Sequence, residues 1–148
     1  MSRRIAVAKA LTKALQVING VSPYKSNLYT KNVISKLKFW DEVRDFPFVC
    51  VVPGMETREY LPSSFSWGIL NVSLKLYTYG EDSAEKLENL IGDIETVITN
   101  NENLVVDVSN NTVTTEILIT SITTDEGLLD PYGIGEILLQ VRYPIERN

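Results

Sequence analysis

Residues 65–79 read FSWGILNVSLKLYTY, and within them Leu70, Val72, Leu74 and Leu76 alternate with Asn71, Ser73 and Lys75. A period of two sends successive side chains to opposite faces of an extended chain, so the stretch is expected to be one long strand with a buried face. Phe65, Trp67 and Ile69 hold the opposite parity, which a bulge near Ile69 or Leu70 would reconcile. Directly afterwards the period changes. Ala84, Leu87, Leu90, Ile91, Ile94, Val97 and Ile98 share one arc when residues are set about 100° apart, the signature of a helix with one apolar side. Asp82 followed three residues later by Glu85 gives a capping-box start. Glu85, Glu88 and Glu95 lie off that arc as an acidic ridge, the ordinary face a helix turns to water.

Working outward from this strand and helix, Phe48 to Val52 is apolar on both parities, which predicts a central strand covered on two sides, opened by Pro47 and closed by a turn at Pro53 and Gly54. Met55 to Ser66 has the composition of a loop or hairpin arm, of the kind that reaches a neighbouring subunit, and Pro62 ends its regular pairing. Upstream, Ser2 caps a helix in which Ile5, Ala8, Leu11, Leu15 and Ile18 recur at steps of three and four, with Lys9 and Lys13 on the other side and Gly20 where it stops. That stripe lacks Trp and Phe, so it reads as a core face and not as a membrane-binding one. Asn32 to Val43 reads as a short helix or a turn-rich segment with Val33, Ile34, Leu37 and Trp40 inward.

Downstream, Leu104 to Val108 is a short strand between Asn clusters at Asn100, Asn101 and Asn103 and at Asn110 and Asn111. The β-branched run Thr112 to Thr124 is a further strand, Asp125 to Gly133 a loop, and Ile137 to Tyr143 a last strand stopped by Pro144. The helices do not alternate regularly with the strands. An α+β fold follows, with about two main helices packed on a largely antiparallel or mixed sheet. The 148 residues are expected to form one domain, with an N-terminal helix over residues 1–20 and a sheet and helix core over residues 46–145.

The composition closes several routes to chemistry. The chain contains no histidine and a single cysteine, Cys50, set between Val49 and Val51. Ser-His and Cys-His nucleophiles are thereby excluded, as is an intrachain disulfide, and Cys50 reads as a small buried hydrophobe. Gly133-Ile134-Gly135 resembles part of a phosphate loop but leads into a strand, where no helix N-terminus faces a phosphate. Asp125, Glu126 and Asp130 could gather around a hard cation, yet their spacing matches no standard loop and a polar turn accounts for them. The sequons at Asn71 and Asn110 matter only in a secreted protein. Tyr24, Lys25, Tyr29 and Lys31 interleave aromatics with bases in the manner of single-strand binders, and loop residues explain them equally well. No catalytic, cofactor-binding or metal-ligating residue is assigned, and no cofactor. Neither a secretory signal nor a membrane span is expected, so the protein reads as soluble.

The net charge of −5 conceals a division. Residues 1–44 carry nine Lys and Arg against two Asp and Glu, and residues 45–148 carry five against seventeen, which gives +7 and −12. A basic segment joined to an acidic body either binds nucleic acid or pairs with the acidic body of another copy.

The run Phe46-Pro47-Phe48-Val49-Cys50-Val51-Val52-Pro53-Gly54, followed by Glu56 and by Tyr60-Leu61-Pro62, resembles the tail-terminator or tail-completion family of tailed bacteriophages, which includes the minor tail protein U-like terminators. Leu76 to Asp82, Asp93-Ile94-Glu95, Thr123 to Gly127, Gly135-Glu136 and Val141-Arg142-Tyr143 extend the similarity over residues 33–143. These are structural residues with no catalytic signature among them. The resemblance implies a virion subunit, assembled in the host cytoplasm, that forms a hexameric ring with copies of itself on the last ring of tail tube protein. There it halts tube growth and offers a surface to the head-tail connector or neck protein. DNA would pass through the ring without sequence-specific binding, and no membrane is involved. The charge division suits such a ring, because a head-to-tail contact needs two different patches on one chain. Arg3, Arg4, Lys9 and Lys13 of the basic helix, Glu56, Arg58, Glu59 and Tyr60 of the arm, and Asp125 and Glu126 of the acidic loop are the candidate contact residues. Acidic positions are expected to line the bore. The competing readings are another neck or connector protein, a small-ligand enzyme or binding domain on an α+β scaffold, and a nucleic-acid-binding domain working through its basic third.

Overall fold

The computed structural model describes residues 2–108 and 111–146, with no side-chain account for residues 107, 108, 111–114 and 146. In chain order the elements are α1 (Arg3–Leu15), β1 (Val33–Ile34), β2 (Phe48–Leu61), β3 (Phe65–Tyr79), α2 (Ser83–Asn100), β4 (Val105–Val108), β5 (Asn111–Thr114), β6 (Glu116–Thr124) and β7 (Tyr132–Glu146). Five strands form one sheet in the order β1-β2-β3-β7-β6, and β4 pairs with β5 in a separate two-stranded ribbon. Only the β1–β2 pairing is parallel, so the sheet is mixed and largely antiparallel. The fold is α+β, as the alternation of residues 70–76 and the helical arc after it indicate. Among the described residues no helix is long and apolar enough to cross a membrane.

One face of the sheet carries both helices. Val49 and Val51 of β2, the four alternating residues Leu70 to Leu76 of β3, Ile137, Leu139, Val141 and Tyr143 of β7 and Ile117 of β6 enter one core with Leu11 and Leu15 of α1 and Leu90 and Ile94 of α2. The opposite face is covered at one end only, where Val43, Phe48, Cys50 and Tyr77 pack with Trp40, Phe46 and Ile134. Cys50 is buried there, as its neighbours indicate, and burial pushes its thiol up.

β3 spans the expected residues but contains no bulge; its pairing with β7 runs unbroken from Phe65 to Tyr79. Phe65, Trp67 and Ile69 lie on the face opposite the core, and the core-side positions Ser66 and Gly68 are small because Tyr143 and Ile145 lean across them. A Cβ on Gly68 would come within 2.9 Å of Tyr143 Cε1 and 3.0 Å of Ile145 Cδ1. The irregularity sits in β2, whose register shifts between Pro53 and Glu56. Pro53 and Gly54 therefore do not end that strand. β1 reaches only to Cys50, so Pro53 lies on an open edge where its missing N–H costs no ladder bond. Pro144 likewise fails to stop β7, which continues to Glu146 beyond the last residue paired with β6, Arg142.

Other boundaries differ from the sequence expectation for local reasons. α1 ends at Leu15, and Gly20 takes its positive φ in the turn beyond; Ile5 faces water while Ala6, Val7 and Ala8 are buried. Asn32 to Val43 is turn-rich without a helix, and Leu37 is 43% exposed instead of inward. Asp82 precedes α2 in the left-handed region with no side-chain cap, and Ser83 occupies the buried position expected of Ala84, donating to Asp130. The run from Thr112 to Thr124 is divided, because Thr115 turns aside to bond Leu104 between β5 and β6. The turn expected at Asn110 and Asn111 and the sequon at Asn110 fall at least partly outside the described residues.

The start of α2 rests directly on β7. A Cβ on Gly133 would approach the Thr78 hydroxyl oxygen to 2.3 Å and the Ser83 carbonyl oxygen to 2.8 Å, and the first of these donates a hydrogen bond to the second. Gly133→Ala is expected to lower stability by about 1–3 kcal/mol through overpacking, seen as a drop in the urea midpoint with an unchanged slope; a midpoint equal to that of the parent would show that the contact yields freely.

Candidate subunit-contact surfaces

The exposed charges of the two helices lie on different sides of the sheet. α1 lies over β2 and β1 and against β4, while α2 lies over β3, β7 and β6. α1 thus lies on one flank of the molecule and the acidic helix on the other, while Lys25 and Ser26 of the same basic third bond to Asp93 of α2. On α1, Lys9 and Lys13 are exposed four residues apart, in line with Ile5. On α2, Glu85, Glu88 and Glu95 are exposed, as the arc requires. Glu85 and Glu88 face Thr124, Asp125 and Glu126 across an open groove of 440 Å³.

The remaining candidate residues divide into three places. Arg3 and Arg4 are half-buried in the first turn of α1, and the Arg4 guanidinium donates to the Gly54 carbonyl at the β2 irregularity. Just past it Glu56 accepts from the Tyr143 hydroxyl and from Arg58 Nε, the latter at 2.9 Å. Partial burial pulls the Glu56 carboxyl up, but the Tyr143 and Arg58 bonds and the charges of Arg58 and Arg4 outweigh it, so its pKa lies below the ordinary value. Burial and the same carboxylate push the Tyr143 phenol up. Arg4, Glu56 and Arg58 are therefore one corner, held together within the molecule. Glu59 pairs with Trp67 on the other face of the sheet, and Tyr60 is exposed near the tip of the arm.

At the far end, Asp125 is occupied with its own loop. Its carboxylate accepts from the N–H groups of Gly127, Leu129 and Ile134, the last two at 3.0 and 3.3 Å, which is the polar-turn reading. Glu126 projects into solvent. Among the described residues no group of three or more His, Cys, Asp or Glu is placed to hold a metal.

Several features had no clear signal in the sequence. Asp93, on the expected helix, is buried and accepts from the backbone N–H groups of Lys25 and Ser26, the shortest at 2.7 Å, which pins the connection after α1 to α2. Beside that connection is a cavity of 310 Å³ lined by Lys25, Tyr29, Phe46, Tyr79, Lys86 and Asn89, with no Asp or Glu in its wall. Tyr24 packs on the core and Lys31 pairs with Asp45 at 3.3 Å, so the aromatic and basic residues of that stretch do not form one face. On the sheet face away from the helices Arg142 stacks over Trp67 at 3.9 Å, and Lys75 bridges to Glu136.

The Glu136 carboxylate takes hydrogen bonds from Lys75 and Ser73, and these lower its pKa against a smaller upward pull from burial. Because the folded value lies below the unfolded one, its stabilisation is complete above the ordinary value of 4.5 and is lost as pH falls through the folded value beneath it. Glu136→Gln should therefore flatten the acid limb of a stability-against-pH curve relative to the parent; an unchanged limb would remove this residue from the acid response.

Comparison with known proteins places the chain among relatives. The profile of the family described as Bacteriophage Tail Tube Terminator Protein matches residues 1–148. Tail tube terminator protein p142 of Escherichia phage T5 is 39% identical over 158 aligned positions, covering 100% of this chain and 98% of that protein. Among solved structures, a chain from the virion of a native gene transfer agent particle superposes with a TM-score of 0.57 at 11% identity, covering 95% of this chain and 98% of that one. A second solved chain gives a TM-score of 0.52 at 15% identity, covering 100% and 99%. At such identities the two structures speak to the fold.

Proposed function

This chain belongs to the bacteriophage tail tube terminator proteins, and from that premise we propose that six copies close into a ring on the end of the tail tube, stop its growth and present the surface to which the head or its neck proteins attach. The chain is a structural component of the virion tail, in a family that is not one of enzymes. The observation carrying the ring is the separation of charge onto two flanks of one sheet, with Lys9 and Lys13 on α1 and Glu85, Glu88 and Glu95 on α2. A head-to-tail contact joins two unlike patches and closes when the rotation between copies divides a full turn. A self-matching contact would set like charges against each other.

The partners in this reading are further copies of the chain, the tube protein below, the connector or neck protein above, and DNA that passes through the bore without sequence-specific binding. The net charge of −5 supports passage, since carboxylates near a bore repel phosphates and keep the duplex from sticking. Assembly takes place in the host cytoplasm, before the filled head arrives.

Purified protein added to tubes assembled without a terminator is expected to bind one end, arrest elongation and appear by native mass spectrometry and electron microscopy as a ring of six. Ring yield should fall as added salt shortens the screening length below about 8 Å. Persistence as a monomer beside open tube ends, or decoration along tube walls, would overturn the proposal, and a salt-independent ring would remove the electrostatic contact from it.

A further inference from the structure

We propose that copies of this chain join edge to edge, the β6 flank of one lying against the β1–β2 flank of the next. The inference rests on the ring reading above and specifies which surfaces make it.

Three independent features converge on the two flanks. The first is that, among the described residues, both sheet edges are open. β6 is the last strand on its side, and on the other side β1 covers β2 only at Val49 and Cys50, so no described strand pairs with residues 52–59 along that edge, where Arg4 takes the Gly54 carbonyl. Unpaired strand edges template pairing with another chain unless something covers them. At the near end of β6 the Ile117 N–H is already taken by the Glu102 carbonyl, which leaves residues 119–124 as its open length.

The second is that each flank exposes apolar side chains, Leu118 at 47% and Ile122 at 39% on β6, Met55 at 66% on β2 and Ile5 at 49% on α1 beside it. Large apolar groups gathered along a strand edge are what a contact buries. The third is charge. The flank beside β6 carries Glu88 and Glu126 around the groove between α2 and the turn after β6, whereas the flank beside β2 carries Lys9 and Lys13 on α1. Bringing β6 flanks together in a two-fold dimer would oppose carboxylates to carboxylates, so only the unlike pairing satisfies all three features.

The test uses two full-length variants of exposed residues. Lys9→Glu with Lys13→Glu makes both flanks acidic; Glu88→Lys with Glu126→Lys makes both basic. Each variant alone is expected to lose ring formation on tube ends by about tenfold or more, because like charges then face each other. An equimolar mixture is expected to restore rings, since each acidic flank again meets a basic one and an even-membered ring closes by alternation. Circular dichroism and urea midpoints matching the parent establish that each variant folds, and rescue on mixing cannot come from misfolded chains. As a second readout, Met55→Cys and Ile122→Cys in the same chain, with a short bismaleimide, should give a covalent ladder. Ile122→Cys alone should stop at monomer, the parent thiol of Cys50 being buried. Wild-type rings accompanied by variant rings of equal yield and no ladder would overturn the edge assignment while leaving the ring itself standing. Failure of the wild type to form rings would overturn both.

Discussion

Fifteen residues of β3, Phe65–Tyr79, pair without a break with the fifteen of β7, Tyr132–Glu146, and almost every other placement is indexed to that register. A slip by one residue would turn Leu70, Val72, Leu74 and Leu76 to the opposite face together. Each is fully buried, and exposing a side chain of that size costs about 1.5–3 kcal/mol. The four sum to roughly the whole stability of a domain of this size, about 5–15 kcal/mol. The register is therefore all-or-none, and it sets which face receives the helices. That in turn fixes α1 over β2 on one side and α2 over β7 and β6 on the other, which gives the molecule two flanks of opposite charge.

The loops are held to this frame by carboxylates with internal work to do. Asp93 ties the connection after α1 to α2 through the Lys25 and Ser26 amides, and Asp125 organises the turn before β7 through those of Gly127, Leu129 and Ile134. Such hydrogen bonds from backbone N–H to carboxylate are among the stronger neutral-to-charged kind. A chain rich in Asp and Glu thus divides its acids between fastening its own loops and facing outward. Only the second group, Glu85, Glu88, Glu95 and Glu126 among them, is available to another molecule.

The long strands, both helices and most of their core faces are legible in the sequence because they rest on period, and period survives folding; Ile5 and Ala84, at the first turns of the two helices, are the exceptions. What escaped rests on distances that no period encodes. The change of parity at Phe65, Trp67 and Ile69 looked like a bulge; it is instead a match of small Ser66 and Gly68 to the overhanging rings and methyls of Tyr143 and Ile145, residues more than seventy positions away. Pro53 and Pro144 read as terminators, since whether a strand edge is open depends on how far a neighbour extends. The candidate contacts show the same limit. Lys9, Lys13 and Glu126 project outward as their surroundings indicate, but Arg4, Glu56 and Arg58 meet one another, and Asp125 turns inward. Sequence shows where charge lies along the chain. It does not show which charges are already answered at home.

The irregularity in β2 sets core-facing residues on odd positions through Pro53 and on even ones from Glu56. It works as a phase shifter, with Gly54 and Met55 together opposite a single partner position. Loss of one residue there would regularise the ladder and leave Glu56, Arg58 and Tyr60 on their present side. The same loss a few positions further on would invert every side chain to the tip, turning Glu59 inward and Arg58 out. Within the paired length of the arm, a one-residue change keeps the facing of the side chains beyond it only at those two positions.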